Sequence, residues 1–176
     1  VVTITQMRQW EDATWAAGRT QESVINNVGL GLARRALALT APDALVLVLA
    51  GKGHNGDDAM AATPHLAGRR VESIRVQHPV SDLPAVREAL SRRPALIIDG
   101  LFGIGLTRPL DADWTSLIDA VNQSQTQILA ADVPSGLSAD SGRPLGAALR
   151  ADVTLTLGAP KLGLLRTEAA EYVGRL

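Results

Sequence analysis

Residues Leu45 to Asp58 read LVLVLAGKGHNGDD, an apolar run followed by a glycine-rich segment. The first residues of this stretch form an unbroken apolar run, which is typical of a strand covered on both faces and therefore of a parallel sheet. Gly51, Gly53 and Gly56 follow, and glycines let the backbone turn sharply and come close to a ligand. The first amides of a helix after such a turn attract an anion. The stretch therefore predicts a strand, a ligand-binding turn and a helix.

The glycine spacing alone does not identify the ligand of this turn. Residues 51 to 56 match the dinucleotide fingerprint, yet its usual companion is an acidic residue at the end of the second strand. The next apolar run, Val71 to Val76, instead leads to Gln77, and Glu72 lies at its beginning. This disfavours an ordinary NAD-dependent dehydrogenase. No Gly-Lys-Ser/Thr follows, which disfavours a P-loop. A tight turn without any ligand is the remaining alternative.

The amino-acid composition excludes several classes of protein. A length of 176 residues with 46% hydrophobic and 20% charged residues is typical of one globular domain, spanning residues 1–176. The 17 Lys and Arg nearly balance the 18 Asp and Glu, which predicts no nucleic-acid and no membrane partner. The absence of Cys excludes disulfides, thiolate catalysis and zinc–thiolate sites. Without a long apolar run or a signal-peptide pattern, we expect a cytoplasmic protein. The first residue, Val1, suggests a domain excised from a longer or bifunctional chain.

The remaining chain alternates between helical and strand patterns. Two N-terminal helices are predicted first, and further helices are then interleaved with strands. The predicted helices are 5–17, 20–39, 57–68, 83–92 and 114–121, and the predicted strands are 45–49, 71–76, 95–98, 128–131 and 153–157. This order indicates an α/β fold, a three-layer αβα Rossmann-like sandwich with a mostly parallel sheet and two N-terminal helices. Pro64 should kink or shorten its helix, and Gly29 and Gly31 should face closely packed neighbours.

Polar residues follow the later strands, where the carboxyl ends of parallel strands line one crevice. Asp99 and Asp132 each come directly after a buried strand, where a carboxylate is costly unless amides, a lysine or a cation compensate it. A turn-capping role is the simpler alternative for Asp99 and Ser135, and Lys161 is either a surface lysine or a phosphate contact. Asn55, Asp99 and Ser135 offer hard oxygen ligands, which indicate a hard cation rather than zinc.

Four segments together resemble a known family. They read AGKGHNGDD at 50–58, DGLFGIGLTRPL at 99–110, ILAADVPSGLSADSG at 128–142 and TLGAPKLGLL at 156–165. In this order and at these intervals they resemble the NAD(P)H-hydrate epimerase family, the domain known as YjeF N-terminal. The resemblance covers nearly the whole chain, and four matched loops are far more specific than one glycine pattern.

The resemblance implies an enzyme that interconverts the R and S epimers of hydrated NADH and NADPH, so that a fused or separate dehydratase can restore the cofactor. It implies a homodimer and one potassium ion per subunit, held at Asn55, Asp99 and Ser135. Asp132 is the best-placed carboxylate to donate and accept the proton of the migrating hydroxyl. The residues expected to bind the hydrated dinucleotide are His54, Asn55, Gly56, Asp57, Asp58, Gly103, Ile104, Gly105, Leu106, Thr107, Arg108, Pro109, Asp132 and Lys161.

This chain departs from the family in the glycine turn, which usually reads Gly-x-Gly-Asn-Asn-Gly-Gly-Asp-Gly. His54, Asp57 and Ala59 replace an Asn and two Gly of that pattern. A carboxylate at residue 57 is expected to stabilise the helix N-terminus and to repel an incoming pyrophosphate. The alternative function is therefore a catalytically weakened dinucleotide-binding or dimeric scaffold module of the same fold, since the same domain occurs in mRNA-decapping enhancers.

Overall fold

A parallel five-stranded sheet forms the centre of the computed structural model, which describes residues 1–176. Every neighbouring pair of strands runs parallel, and the spatial order is β2-β1-β3-β4-β5. The strands are β1 (Leu45–Ala50), β2 (Arg70–Arg75), β3 (Leu96–Gly100), β4 (Ile128–Ala131) and β5 (Val153–Leu155). The predicted α/β fold class and all five predicted strands are confirmed.

Helices cover both faces of the sheet. They are α1 (Ile4–Ala16), α2 (Gln21–Leu39), α3 (His54–Ala61), α4 (Pro79–Ser91), α5 (Ala112–Gln123) and α6 (Ala170–Val173). Side chains alternate along a strand, so Val46 and Val48 of β1 pack with α2 and α3, whereas Leu47 and Leu49 pack with α4 and α5. The predicted three-layer sandwich is confirmed. No helix combines the length and the apolar character needed to cross a bilayer.

The boundaries of two helices, α3 and α4, differ most from the sequence-based prediction. Helix α3 begins at His54, before the predicted start at residue 57, and ends at Ala61. Pro64 lies beyond it, in the 3-10 turn Thr63–His65. A proline has no amide hydrogen to continue the helical ladder, so it shortens the helix rather than kinking it. Helix α4 begins at Pro79, before the predicted start at residue 83, because proline is favoured in the first turn of a helix.

Threonine caps begin both N-terminal helices. The Thr3 side chain accepts a hydrogen bond from the amide of Gln6, and the Gln6 side-chain oxygen accepts one from the amide of Thr3. Thr20 caps α2, since its side chain accepts a hydrogen bond from the Ser23 amide. Trp10 and Trp15 of α1 are 50% and 38% exposed, so a large part of each side chain lies on the surface.

One glycine in α2 permits close packing of two helices. A Cβ atom at Gly29 would lie 2.5 Å from the main-chain carbonyl of Ala61 in α3. At Gly31 the nearest atom would be Leu155 Cδ2 at 3.8 Å, an ordinary contact. The expectation of close packing is therefore confirmed for Gly29 and wrong for Gly31.

We expect Gly29→Ala to lower the free energy of unfolding by roughly 1 to 3 kcal/mol, because the backbone of α3 must move. The matched variant Gly31→Ala should leave stability unchanged or raise it by up to about 1 kcal/mol, since alanine favours the helix. Urea denaturation of both variants measures the difference. Equal stability of the two variants would contradict this packing.

Candidate active site

A cavity of about 640 Å³ opens at the carboxyl edge of the sheet. Its walls come from the loops after β1, β3, β4 and β5, as the convergence of the glycine-bearing loops predicted, and also from α1. Its volume is within the usual range of pockets for small molecules and cofactors, roughly 300 to 1,000 Å³. It is therefore the candidate site for a dinucleotide-sized ligand.

A buried ion pair closes one end of the cavity. Lys161 is only 1% exposed, and its ammonium donates to Asp132 Oδ1 and, at 2.7 Å, to the carbonyl oxygen of Leu157. Asp132 Oδ1 also accepts a hydrogen bond from the Leu157 amide at 2.9 Å. Burial of a charged pair is costly unless hydrogen bonds compensate both partners, and they do so here. Lys161 is therefore not a surface lysine, and its ammonium is already engaged rather than free to meet a phosphate.

Asp132 has a left-handed backbone conformation, with φ of 68°. Such a conformation is uncommon for residues other than glycine and tends to persist where the surrounding structure enforces it, often at functional sites. Here the Asp132 amide donates to the carbonyl oxygen of Leu155 at 2.9 Å, which fixes the turn against the end of β5. The turn directs the Asp132 side chain towards Lys161 and the cavity.

Two further carboxyl groups line the cavity. Burial is the main reason why the pKa of Asp58 rises to about 7, and the negative charges of Asp132, Asp57 and Glu11 add to the effect. Burial also raises the pKa of Glu11, and the charge of Asp132 contributes. Perturbed carboxyl groups gathered in a cleft indicate a functional site. The cavity thus holds one ion-paired carboxylate and two carboxyl groups that protonate more readily than usual.

The glycine turn places its residues in different environments. His54, Asn55 and Asp58 line the cavity, and His54 Nε2 lies 2.8 Å from the side-chain nitrogen of Gln21. Gly56 is buried against the main chain of Gly51, where a Cβ atom would collide with the Gly51 carbonyl oxygen. Its role is therefore close packing rather than direct lining of the cavity.

The structure does not support the expected conflict between Asp57 and a pyrophosphate. Asp57 lies outside the cavity lining, and its carboxylate forms a 3.0 Å salt bridge with Arg75. Successive residues on the first turn of a helix point in different directions, so Asp58 faces the cavity and Asp57 faces β2. Asp57 is therefore turned away from the cavity in this structure, and its contact with the dinucleotide stays a prediction.

The loop after β3 contributes most of the residues expected from it. Those that line the cavity are Gly103, Ile104, Gly105, Leu106, Thr107 and Arg108. Pro109 does not line it. The base of this loop is fixed by Phe102, whose ring packs edge-on against Trp114 with 4.6 Å between the ring centroids.

The three predicted cation ligands lie around the main chain of Phe102. Asn55 donates to the Phe102 carbonyl oxygen at 2.8 Å, and Ser135 Oγ lies 3.3 Å from the same atom. Ser135 Oγ donates to Asp99 Oδ1 at 2.5 Å, and the Ser135 amide donates to Asp99 Oδ2 at 2.8 Å. Three side chains from different strand ends thus meet at one place.

Asp99 has no cationic partner among the protein groups. It is fully buried, and burial raises its pKa to about 6 although hydrogen bonds from Ser135 and the Leu101 amide oppose the rise. A buried carboxylate without a cationic partner, beside hydroxyl, amide and carbonyl oxygens, suits a hard cation. The donor set therefore fits a potassium ion.

The sequence-based prediction missed several residues that line the cavity. They are Met7, Arg8 and Glu11 from α1, together with Lys52, Gln77 and Trp114. Met7 and Glu11 are four residues apart and so share one face of the helix, which was a usable signal. Nothing in the sequence indicated that this face lies against the ends of β4 and β5.

Comparison with known proteins shows the family to which the chain belongs. The family model described as YjeF-related protein N-terminus matches residues 72–163. An NAD(P)H-hydrate epimerase from Achromobacter xylosoxidans is 40% identical over 182 residues, covering 93% of this chain and 86% of that protein. An NAD(P)H-hydrate epimerase from Bordetella pertussis is 42% identical over 153 residues, covering 74% of this chain and 64% of that protein.

Longer proteins also match. The bifunctional NAD(P)H-hydrate repair enzyme Nnr of Thermofilum pendens is 34% identical over 185 residues, and this chain spans 35% of its length. Among solved structures, the yeast protein ynu0 superimposes with a TM-score of 0.80 over 93% of this chain and 82% of that one. At 20% identity this likeness establishes the fold alone. By sequence over almost its whole length and by its fold, the chain belongs to the YjeF-related N-terminal family, the family of the NAD(P)H-hydrate epimerases.

Proposed function

We propose that this protein is an isomerase that interconverts the R and S epimers of hydrated NADH and NADPH. The main structural support for this reaction is the buried ion pair of Lys161 and Asp132 at the end of a cavity of dinucleotide size. It places a fixed, charge-compensated carboxylate where a reacting atom can be bound. The matched relatives named as epimerases support the same reaction.

The chemistry explains why a carboxylate is needed. The altered carbon of the hydrate bears a hydroxyl group and is bonded to the ring nitrogen. When the hydroxyl leaves as water, it takes a proton, and the nitrogen lone pair forms a double bond to the carbon. Water then adds to the other face and gives up a proton. Acid–base catalysis of such steps contributes typically 10²- to 10⁴-fold.

Each wall of the cavity has a separate task. The loop of residues 103–108 and the turn at His54 are suited to holding the dinucleotide, while Asp132 exchanges the proton. Lys161 fixes Asp132 Oδ1, which leaves the second carboxylate oxygen to face the substrate. Arg8, Lys52 and Arg108 also line the cavity and offer positive charge to the phosphates.

The unusual glycine turn leaves these parts in place. Asp57 pairs with Arg75 outside the cavity, and Ala59 is buried beneath Gly100 rather than facing the ligand. His54 lines the cavity and preserves a side chain that can form hydrogen bonds. No feature of the turn therefore favours the alternative of a catalytically weakened binding or scaffold module.

Several finer features belong to the same proposal. Hydrated NADH and NADPH are the substrates, and a dehydratase, fused or separate, consumes the S epimer. The name of the bifunctional relatives supports coupling to a second repair activity. By family analogy we propose a homodimer, and from the absence of cysteine, which fits a reducing compartment, a cytoplasmic location.

We also propose one potassium ion per subunit, held by Asn55, Asp99 and Ser135 together with the Phe102 carbonyl oxygen. The ion would supply positive charge that balances Asp99. These four groups come from the first turn of α3, from the end of β3 and the loop after it, and from the loop after β4, so the site would connect three walls of the cavity.

The epimerase proposal is tested by adding the purified protein to the R epimer of hydrated NADH (R-NADHX) and following the formation of the S epimer by chromatography. We expect interconversion well above the spontaneous rate, and a loss of at least about 100-fold in Asp132→Asn, because the amide cannot exchange the proton. Asp119→Asn, an exposed change on α5, is the matched control and should keep full activity. A wild-type rate equal to the spontaneous one would favour the scaffold alternative.

The ion proposal is tested by thermal unfolding in KCl and in choline chloride at equal ionic strength. Because a bound ion stabilises only the folded state, the wild type should melt at a higher temperature in KCl. Asp99→Asn should lose this difference, whereas Asp119→Asn should keep it. An equal melting temperature of the wild type in both salts would contradict potassium binding.

A further inference from the structure

Helix α1 is fastened to the segment that carries the buried lysine. Val2 lies beside Lys161 in a one-residue parallel bridge. The Val2 amide donates to the Pro160 carbonyl oxygen at 2.9 Å, and the Leu162 amide donates to the Val2 carbonyl oxygen at 2.8 Å. The chain just before α1 is therefore held by main-chain bonds on both sides of Lys161.

Two more contacts fix the helix itself. The Ile4 amide at its first turn donates to Asp140 Oδ1 at 2.8 Å. Met7 is 8% exposed and packs over Gly158, where a Cβ atom would lie 2.8 Å from Met7 Cε. Helix α1 is thus a wall of the cavity whose position is set by the same loops that hold Asp132 and Lys161.

This wall presents one carboxyl group to the cavity. Glu11 lies one turn beyond Met7 on the same face and lines the cavity. No protein group donates a hydrogen bond to its carboxyl, in contrast to Asp132, which is bound by an ammonium and an amide. Glu11 is therefore a partly buried carboxyl that is free to engage a ligand.

Several charged groups act on the carboxyl of Glu11. Burial and then the charge of Asp132 raise its pKa, while Lys161, His54 and Arg8 oppose that rise. Asp58 on α3 also feels the charge of Glu11. A raised pKa lets the carboxyl of Glu11 hold a proton nearer to neutral pH, which suits an acid.

Epimerisation requires proton exchange on both faces of the nicotinamide ring, and one carboxylate in a fixed position reaches only one face. The hydroxyl leaves one face of the nicotinamide ring and returns on the other, so protons must be exchanged on both faces. Resting on the proposed epimerase function, we infer that Glu11 exchanges the proton on the face of the ring opposite to Asp132. The two carboxyl groups come from different walls, one from a helix and one from a strand end.

The steps balance in both directions. Protonated Glu11 gives its proton to the hydroxyl oxygen, the C–O bond breaks with its electrons on oxygen, and water leaves as the nitrogen lone pair forms the C=N bond. Water then adds on the side of Asp132, the C=N electrons return to nitrogen, and Asp132 accepts the proton. Solvent takes that proton from Asp132 and returns one to Glu11. In the reverse reaction the two carboxyl groups exchange roles.

The test compares Glu11→Gln, Glu11→Asp and the control Asp12→Asn, which removes the neighbouring exposed carboxylate on the same helix. In Glu11→Gln, kcat for R-NADHX should fall by at least about 100-fold, while KM and the Kd for NADH stay within about twofold. Glu11→Asp should recover part of kcat, and Asp12→Asn should match the wild type. Unchanged melting temperatures would confirm intact folding.

The possible results of this experiment distinguish the role of Glu11 from the epimerase function itself. An active wild type with Glu11→Gln that keeps kcat within about threefold would overturn the role of Glu11 alone. A higher KM with unchanged kcat would also overturn it, because Glu11 would then act only in binding. A wild type without any epimerisation activity would overturn the epimerase function and this inference together.

Discussion

The buried ion pair between the Lys161 ammonium and the Asp132 carboxylate sets the geometry of the site. Removing Lys161 and Asp132 from water costs several kcal/mol per ion in real proteins, and only good geometry with further hydrogen bonds compensates that cost. Here the Leu157 carbonyl oxygen and amide complete the arrangement. The pair therefore requires the ends of β4 and β5 and the segment around residue 161 to hold one relative position.

Close backbone packing provides that rigidity elsewhere in the site. Gly51 and Gly56 allow the main chain of the turn to lie against itself, and Gly51 also lies against the Leu101 carbonyl oxygen, where a side chain would collide. Gly100 lies over α3 in the same way. Glycines that a sequence pattern assigns to ligand binding thus have a second role, which is to bring the loops after β1 and β3 into direct contact.

The predictable part of the structure rests on local patterns. Apolar runs in the chain identified all five strands, and the rule that parallel strands end at one edge brought Asn55, Asp99 and Ser135 together. The misplaced features depend on long-range contacts. The Asp57 side chain points away from the cavity because it pairs with Arg75 at the end of β2. The role of Lys161 depends on the burial of its side chain. Likewise, α1 reaches the site through Ile4 and Asp140, which are 136 residues apart in sequence.

In the proposed mechanism, carboxyl groups in this cavity assist the departure and return of the substrate hydroxyl. The mechanism is tested by incubating the R epimer of hydrated NADH with the protein in water enriched in oxygen-18 and analysing both epimers by mass spectrometry. Because the C–O bond breaks and re-forms with water, we expect the S epimer to carry the label from its first appearance. Formation of unlabelled S epimer at the catalysed rate would show that the C–O bond stays intact, and would rule out this mechanism.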